Sequence, residues 1–147
     1  MTHRAKVTVE FPCPRHELFE ALLDLDRYPL WNSGMVKISH DGPMTPGLIY
    51  STVTHTMGRS NEATVHVIEI VPDEAIVLES RAGIVTFHAT FQLKTLSARR
   101  SAVSVHLRFS FSRALFNLAQ PVAEAIAESR IRADLETLRA LMGSSHP

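Results

Sequence analysis

Two runs in the second half of the chain decide the fold: residues 85–94, VTFHATFQLK, and residues 102–110, AVSVHLRFS. In the first, Phe87, Ala89, Phe91 and Leu93 take every second position, between Thr86, His88 and Thr90. In the second, Val103, Val105, Leu107 and Phe109 do the same against Ser104, His106 and Arg108. A period of two is that of a strand with one face in the core, so the apolar set faces inward and the polar set faces water. The short join at 96–100 makes the two runs antiparallel neighbours, because a parallel crossover needs a dozen residues or more. If Phe91 pairs with Val103, His88 lies opposite His106 on the outer face.

The same grammar continues toward the N-terminus. Strands are expected at about 75–80, 61–71, 48–56 and 35–40, separated by Pro72-Asp73-Glu74, Gly58-Arg59-Ser60-Asn61 and Asp41-Gly42-Pro43; Ala82-Gly83 leads into the strand at 85. At the start of the chain Ala5, Val7, Val9 and Phe11 alternate with Lys6, Thr8 and Glu10, which gives a first strand. Pro12 and Pro14 stop it. Leu18, Phe19, Leu22, Leu23 and Leu25 then follow at helical spacing, and 26–32 is too short for more than a second helical turn ending near Trp31.

Beyond Ser112, a candidate N-cap, the chain to Met142 reads as helix, with Pro121 kinking it or starting its main part. Projected at 3.6 residues per turn, Ile131, Leu135, Leu138 and Met142 form one stripe, which runs back through Ala127, Glu124, Ala123 and Gln120. Large residues give way to small and polar ones. Leu115, Leu118, Val122 and Ile126 form a second stripe on nearly the opposite face. In a continuous helix, the second half fills the core and the first half leaves space over the sheet while turning an apolar ridge outward. A break between Ala127 and Arg130, or a bend at Pro121, brings both stripes inward instead.

The expected fold class is therefore α+β. A seven-stranded curved antiparallel sheet wraps around a long C-terminal helix, with two short helices after the first strand. Phe11-Pro12-Cys13-Pro14, the segment Leu23 to Trp31 (LDLDRYPLW), Pro46-Gly47 opening a strand and Val67 ahead of Pro72 together resemble the START-like, polyketide cyclase/dehydrase and lipid-transport superfamily of helix-grip proteins. The resemblance runs from about Ala5 to Met142. The family's Gly-Thr step before the last strand is replaced here by Ala98-Arg99-Arg100-Ser101.

That resemblance implies a ligand tunnel between sheet and helix. It selects Val67, with Val65 and Ala63, as inward on the fourth strand, followed by Ile76 and Leu78 on the fifth. Counting from Gly47 places Leu48, Tyr50, Thr52 and Thr54 inside on the third; the more apolar alternative is Ile49, Val53 and Met57. The candidate ligand-binding residues are Trp31, Tyr50, Thr52, Thr54, Val65, Phe87, Phe91, Gln120, Ala123 and Ala127.

Catalytic candidates are thin. Tyr50, Thr52 and Thr54 can donate hydrogen bonds, and Glu124 would gain a raised pKa if desolvated. Eight histidines are present, but neither H-E-x-x-H nor a cysteine cluster, so no metal and no cofactor are expected. Cys13, the lone cysteine, has no evident base beside it.

The chain of 147 residues is 45% hydrophobic and 20% charged, as expected of one globular domain spanning 1–147. Lys plus Arg and Asp plus Glu are 15 each, so there is no sign bias to draw nucleic acid or an anionic membrane. No apolar run approaches the roughly 20 residues needed to cross a bilayer. With no signal peptide in evidence, a cytoplasmic location is expected.

Three functions stay open at this level. The chain could be a carrier or sensor for a small hydrophobic ligand such as a lipid, quinone or polyketide-like aromatic. It could be a polyketide aromatase/cyclase-like or dehydratase-like enzyme. It could be an interaction module whose apolar ridge supports a homodimer or another partner.

Overall fold

The computed structural model of the chain describes residues 2–56, 58–111 and 119–144. Strand β1 (His3–Phe11) leads into α1 (Arg15–Leu23), a 3-10 turn (Leu25–Arg27) and the short α2 (Tyr28–Trp31). Then come β2 (Met35–Ser39), β3 (Ile49–Thr56), β4 (Arg59–Val71), β5 (Ala75–Ser80), β6 (Val85–Ser97), β7 (Arg100–Phe111) and α3 (Gln120–Ser144). All seven strands form one antiparallel sheet in the order β1-β7-β6-β5-β4-β3-β2, which leaves β1 and β2 as its edges. Ser112, Met57 and the ridge residues Leu115 and Leu118 lie outside the described residues.

Parity holds along the strands. On β1 burial alternates strictly from His3 to Phe11. On β3 the register counted from Gly47 is the one adopted: Tyr50 and Thr52 are buried, whereas Ile49 is 52% exposed. β4 keeps its apolar face inward through a bulge between Val67 and Glu69. Val65 and Val67 are buried, Ile68 turns out, and Ile70 resumes contact with the core.

The last hairpin corrects one expectation. β6 and β7 run on to a tight turn, with Ser97 opposite Arg100 and a bulge between Thr95 and Ser97, so Phe91 pairs with Val105 rather than Val103. His88 therefore faces Arg108, and His106 faces Thr90.

The helix α3 is continuous through Ala127–Arg130, and Pro121 stands in its first turn, where a missing N–H costs nothing. Its second half packs into the core through Leu135 and Leu138, beside Leu18, Leu22 and Trp31. The helix also reaches both edges of the sheet. Along β1 the Arg4 N–H donates to Glu124 Oε2 (2.7 Å). Farther along, Arg132 donates to the Thr8 carbonyl (3.4 Å) and Arg139 to the Glu10 carbonyl (3.2 Å). Edge-strand groups that would otherwise invite another strand are thus covered by helix side chains.

On the β2 side, Arg130 donates to the Ser33 carbonyl, and the Ser33 N–H donates to Asp134 Oδ1 (3.1 Å). The turn clamped there contains Gly34, at φ +82°, whose carbonyl accepts from the His55 N–H (2.7 Å). Asp134 is buried, and burial pushes its carboxyl pKa up against the lowering effect of the Ser33 hydrogen bonds.

Candidate functional site

The inward face carries one continuous cross-strand row. His3 lies opposite Phe109, Phe109 opposite Phe87 and Phe87 opposite Ser80; one residue beyond the His66–Glu79 pair, Val65 continues the row to its partner Tyr50. The end members are polar, and between them the buried Ser80 interrupts an otherwise apolar run. His3 is 4% exposed, its Nδ1 has no hydrogen-bond partner among the described residues, and its ring lies 5.1 Å from Phe109 and 5.7 Å from Phe111, centroid to centroid. Burial pushes the Tyr50 phenol upward in pKa, so it is a neutral donor, and no hydrogen bond to its hydroxyl is found among the described residues.

His3 escapes a strand reading that begins at Ala5, although it shares that strand's inward parity. Counting back two residues finds it.

Beside this row Thr52 is buried opposite Ala63, and Phe91 stands between Ile76 and Val105. Phe87, Phe91, Leu107 and Thr54 point inward yet are only half-buried, unlike Val103 and Val105 farther along the same sheet. On the first half of α3, Ala123 is buried and Ala127 half-buried. Tyr50, Thr52, Val65, Phe87 and Phe91 are thus brought onto one concave face. Thr54 reaches the Gly34 turn, where its Cγ2 would lie 3.2 Å from an added Cβ.

Other candidates stand elsewhere. Trp31 lies with Ala21, Leu138, Leu141 and Met142 around a small cleft of about 70 Å³, under the second half of α3 rather than the first. Its ring packs against Tyr28 at 4.9 Å, and its indole N–H is buried without a partner among the described residues. Tyr28 donates to the Leu22 carbonyl, closing one of the free carbonyls at the end of α1. Burial, helped by the neighbouring Tyr50 and Asp24, holds its phenol protonated.

Gln120 is exposed and its amide donates to Glu124 Oε2 (3.3 Å). The Glu124 carboxylate, which also takes the Arg4 N–H, is engaged at the sheet edge and not in the interior. Cys13 is buried, and burial raises its thiol pKa, the reverse of what a nucleophile needs. Among the described residues no group of three His, Cys, Asp or Glu side chains gathers to hold a metal ion. No helix among them is long and apolar enough to cross a membrane.

A curved sheet gripping a long helix, with polar groups set into an apolar concave face, defines the helix-grip class. The profile of the polyketide cyclase/dehydrase and lipid-transport family matches residues 2–143, and the chain belongs to that family. Its fold is that of a protein from Thermus thermophilus (TM-score 0.83, 12% identity, 98% of this chain and 99% of that one). It is also that of a START superfamily protein from Mycobacterium smegmatis (TM-score 0.83, 15% identity, 97% and 98% covered). The Zhui aromatase/cyclase of Streptomyces sp. R1128 is similar as well (TM-score 0.79, 18% identity, 95% and 93% covered). At such identities the likeness concerns the fold. No curated protein matches the chain at a significant level.

Proposed function

We propose that the chain binds a small hydrophobic molecule, a lipid, quinone or polyketide-like aromatic, between the concave sheet and the first half of α3, and acts as a carrier or sensor. One observation carries the reading: inward-facing Phe87, Phe91 and Leu107 keep accessible surface, while the inward residues of the first half of α3 are small. Apolar residues that face inward without being fully packed are what a hydrophobic pocket is made of. In this reading Tyr50, Thr52 and Thr54 orient the ligand, Val65, Phe87 and Phe91 form its apolar bed, and Ala123 and Ala127 its roof. Gln120 stands at the margin, Trp31 lies apart under the second half of α3, and His3 joins the lining. Native mass spectrometry of the protein as purified is the test. A co-purifying apolar compound, or binding from a panel of lipids and aromatics, supports the proposal; a protein that takes up none of them refutes it.

A second reading, an aromatase/cyclase-like or dehydratase-like enzyme, is favoured by the pairing of a buried imidazole and a neutral phenol on one inward row. Proton removal and donation inside an apolar space require such groups. It predicts turnover of a polyketide-like substrate that is lost in both His3→Gln and Tyr50→Phe. Val122 and Ile126, 47% and 54% exposed on α3, also leave an apolar ridge for the homodimer that belongs to this proposal.

A further inference from the structure

An open cleft of about 490 Å³ lies against the outer face of the sheet, the side away from the ligand space proposed above. Two cross-strand rows build its floor. In one, Arg4 stands opposite Arg108, and Arg108 opposite His88; in the next, Lys6 stands opposite His106, and His106 opposite Thr90. Glu128 of α3 forms the rim beside β1.

Directly opposed side chains of an antiparallel pair are about 5 Å apart at Cβ, and like charges in that position oppose folding. Arg4 and Arg108 are such a pair. No ion pair of the Arg4, Lys6 or Arg108 side chains is found among the described residues, and the Glu124 carboxylate beside β1 takes the Arg4 backbone N–H instead. Glu79, the next residue along the first row, is already bound by Arg81 (2.7 Å) and His88 (3.1 Å). A chain with formal net charge zero has therefore gathered three cations, two neighbouring imidazoles and one carboxylate around a single concavity.

We propose that this outer cleft is a binding site for a small molecule carrying two or more phosphate groups. Guanidinium forks suit the paired oxygens of a phosphate, and Lys6 supplies a point charge beside them. Three fixed cations against one carboxylate leave an excess that a single monoanion does not match and a diphosphate does. The volume lies within the roughly 300–1,000 Å³ of small-molecule sites. An anion seated between Arg4 and Arg108 also converts their repulsion into a shared contact.

The test is NMR titration with pyrophosphate, read on the His88 and His106 ring signals, with chloride at equal ionic strength as control. Saturable shifts are expected. Arg108→Gln, and more so the Arg4→Gln/Arg108→Gln double variant, should weaken binding by roughly tenfold or more. Glu128→Gln should tighten it, which a folding defect cannot mimic. Sedimentation with phosphatidylcholine vesicles, with and without a phosphatidylinositol bisphosphate, separates two sources of the same chemistry. Cosedimentation that pyrophosphate competes away assigns the site to a lipid headgroup, and its absence alongside pyrophosphate binding assigns it to a soluble phosphate compound. No saturable shift in the millimolar range, or an affinity unchanged in the double variant, overturns the proposal. Because the cleft and the concave face lie on opposite sides of the sheet, either site can fail without the other.

Discussion

Gly34→Ala tests how α3 is held against the β2 side of the sheet. A methyl group at this position would lie 2.8 Å from the His55 carbonyl oxygen, 2.9 Å from an Arg130 guanidinium nitrogen and 3.2 Å from Thr54 Cγ2. The guanidinium can move only by releasing the Ser33 carbonyl, and the His55 carbonyl belongs to a strand whose own N–H is bonded to Gly34. Two costs follow. The left-handed backbone at φ +82° costs an L-residue about 1–2 kcal/mol. Forcing a methyl into a contact that short costs about 1–3 kcal/mol more. A loss of about 2–5 kcal/mol is a large part of the roughly 5–15 kcal/mol that keeps a domain folded. At about 3 °C per kcal/mol for a chain of this size, Tm should fall by roughly 6–15 °C. Thermal unfolding followed by circular dichroism reads this directly. Gly42→Ala, where an added Cβ meets nothing within 4 Å, is the matched control and should leave Tm nearly unchanged. A Gly34→Ala protein melting with the control would show that the turn is not clamped between β3 and α3.

Further outcomes follow from the same contacts. Glu124→Ala removes the acceptor of the Arg4 N–H and should cost about 1 kcal/mol in chemical denaturation, with a greater tendency to associate through the uncovered β1 edge. Asp134→Asn keeps an acceptor for Ser33 but removes a carboxyl whose folded pKa is raised by burial. That carboxyl supports folding only while protonated, so the stability of the wild type relative to the variant should be greatest at acid pH and decline as pH rises through the folded pKa, as melting across pH would record. Ala123→Phe should abolish ligand uptake in native mass spectrometry while costing little stability if space lies beneath it; destabilisation by about 1–3 kcal/mol would mark that position as filled core. Val122→Glu/Ile126→Glu should convert a dimer to a monomer in sedimentation velocity, and a wild type that is already monomeric removes the ridge from the proposed function.

Much of this architecture is legible in the sequence because the alternation of strands such as β1 and β7 is a local signal. Val103 and Val105 declare their face without reference to anything else in the chain. The pairing of His88 does not, since register is fixed by a turn, and a single bulge between Thr95 and Ser97 re-aims every partner before it. Tyr50 and Thr52 can be placed only with the help of the family's spacing from Gly47, because Ile49 and Val53 make the opposite face more apolar. Trp31 is less tractable still: it follows a turn, and whether it lies under the first or second half of α3 depends on how α1 and α2 pack. Glu124, Arg132 and Arg139 read as an ordinary solvated helix flank until the fold brings the free edge of β1 beside them.

These rim contacts let one helix serve as core and, in the proposed function, as roof. Its second half is fixed by packing, through Leu135 and Leu138. Its first half has no large inward side chain to anchor it, and small residues such as Ala123 contribute little burial. Polar contacts along its rims supply the anchoring instead: Glu124 to the backbone of β1 and Arg130 to the turn before β2, continued into the second half by Arg132 and Asp134 on the same two sides. Charge-assisted hydrogen bonds of this kind contribute about 1.5–3 kcal/mol each when well formed and less at exposed positions, and none of them requires the space beneath the helix to be filled. A roof held at its edges can span a space that a roof held by its underside would have to occupy, which is what the proposed ligand site on the concave face requires.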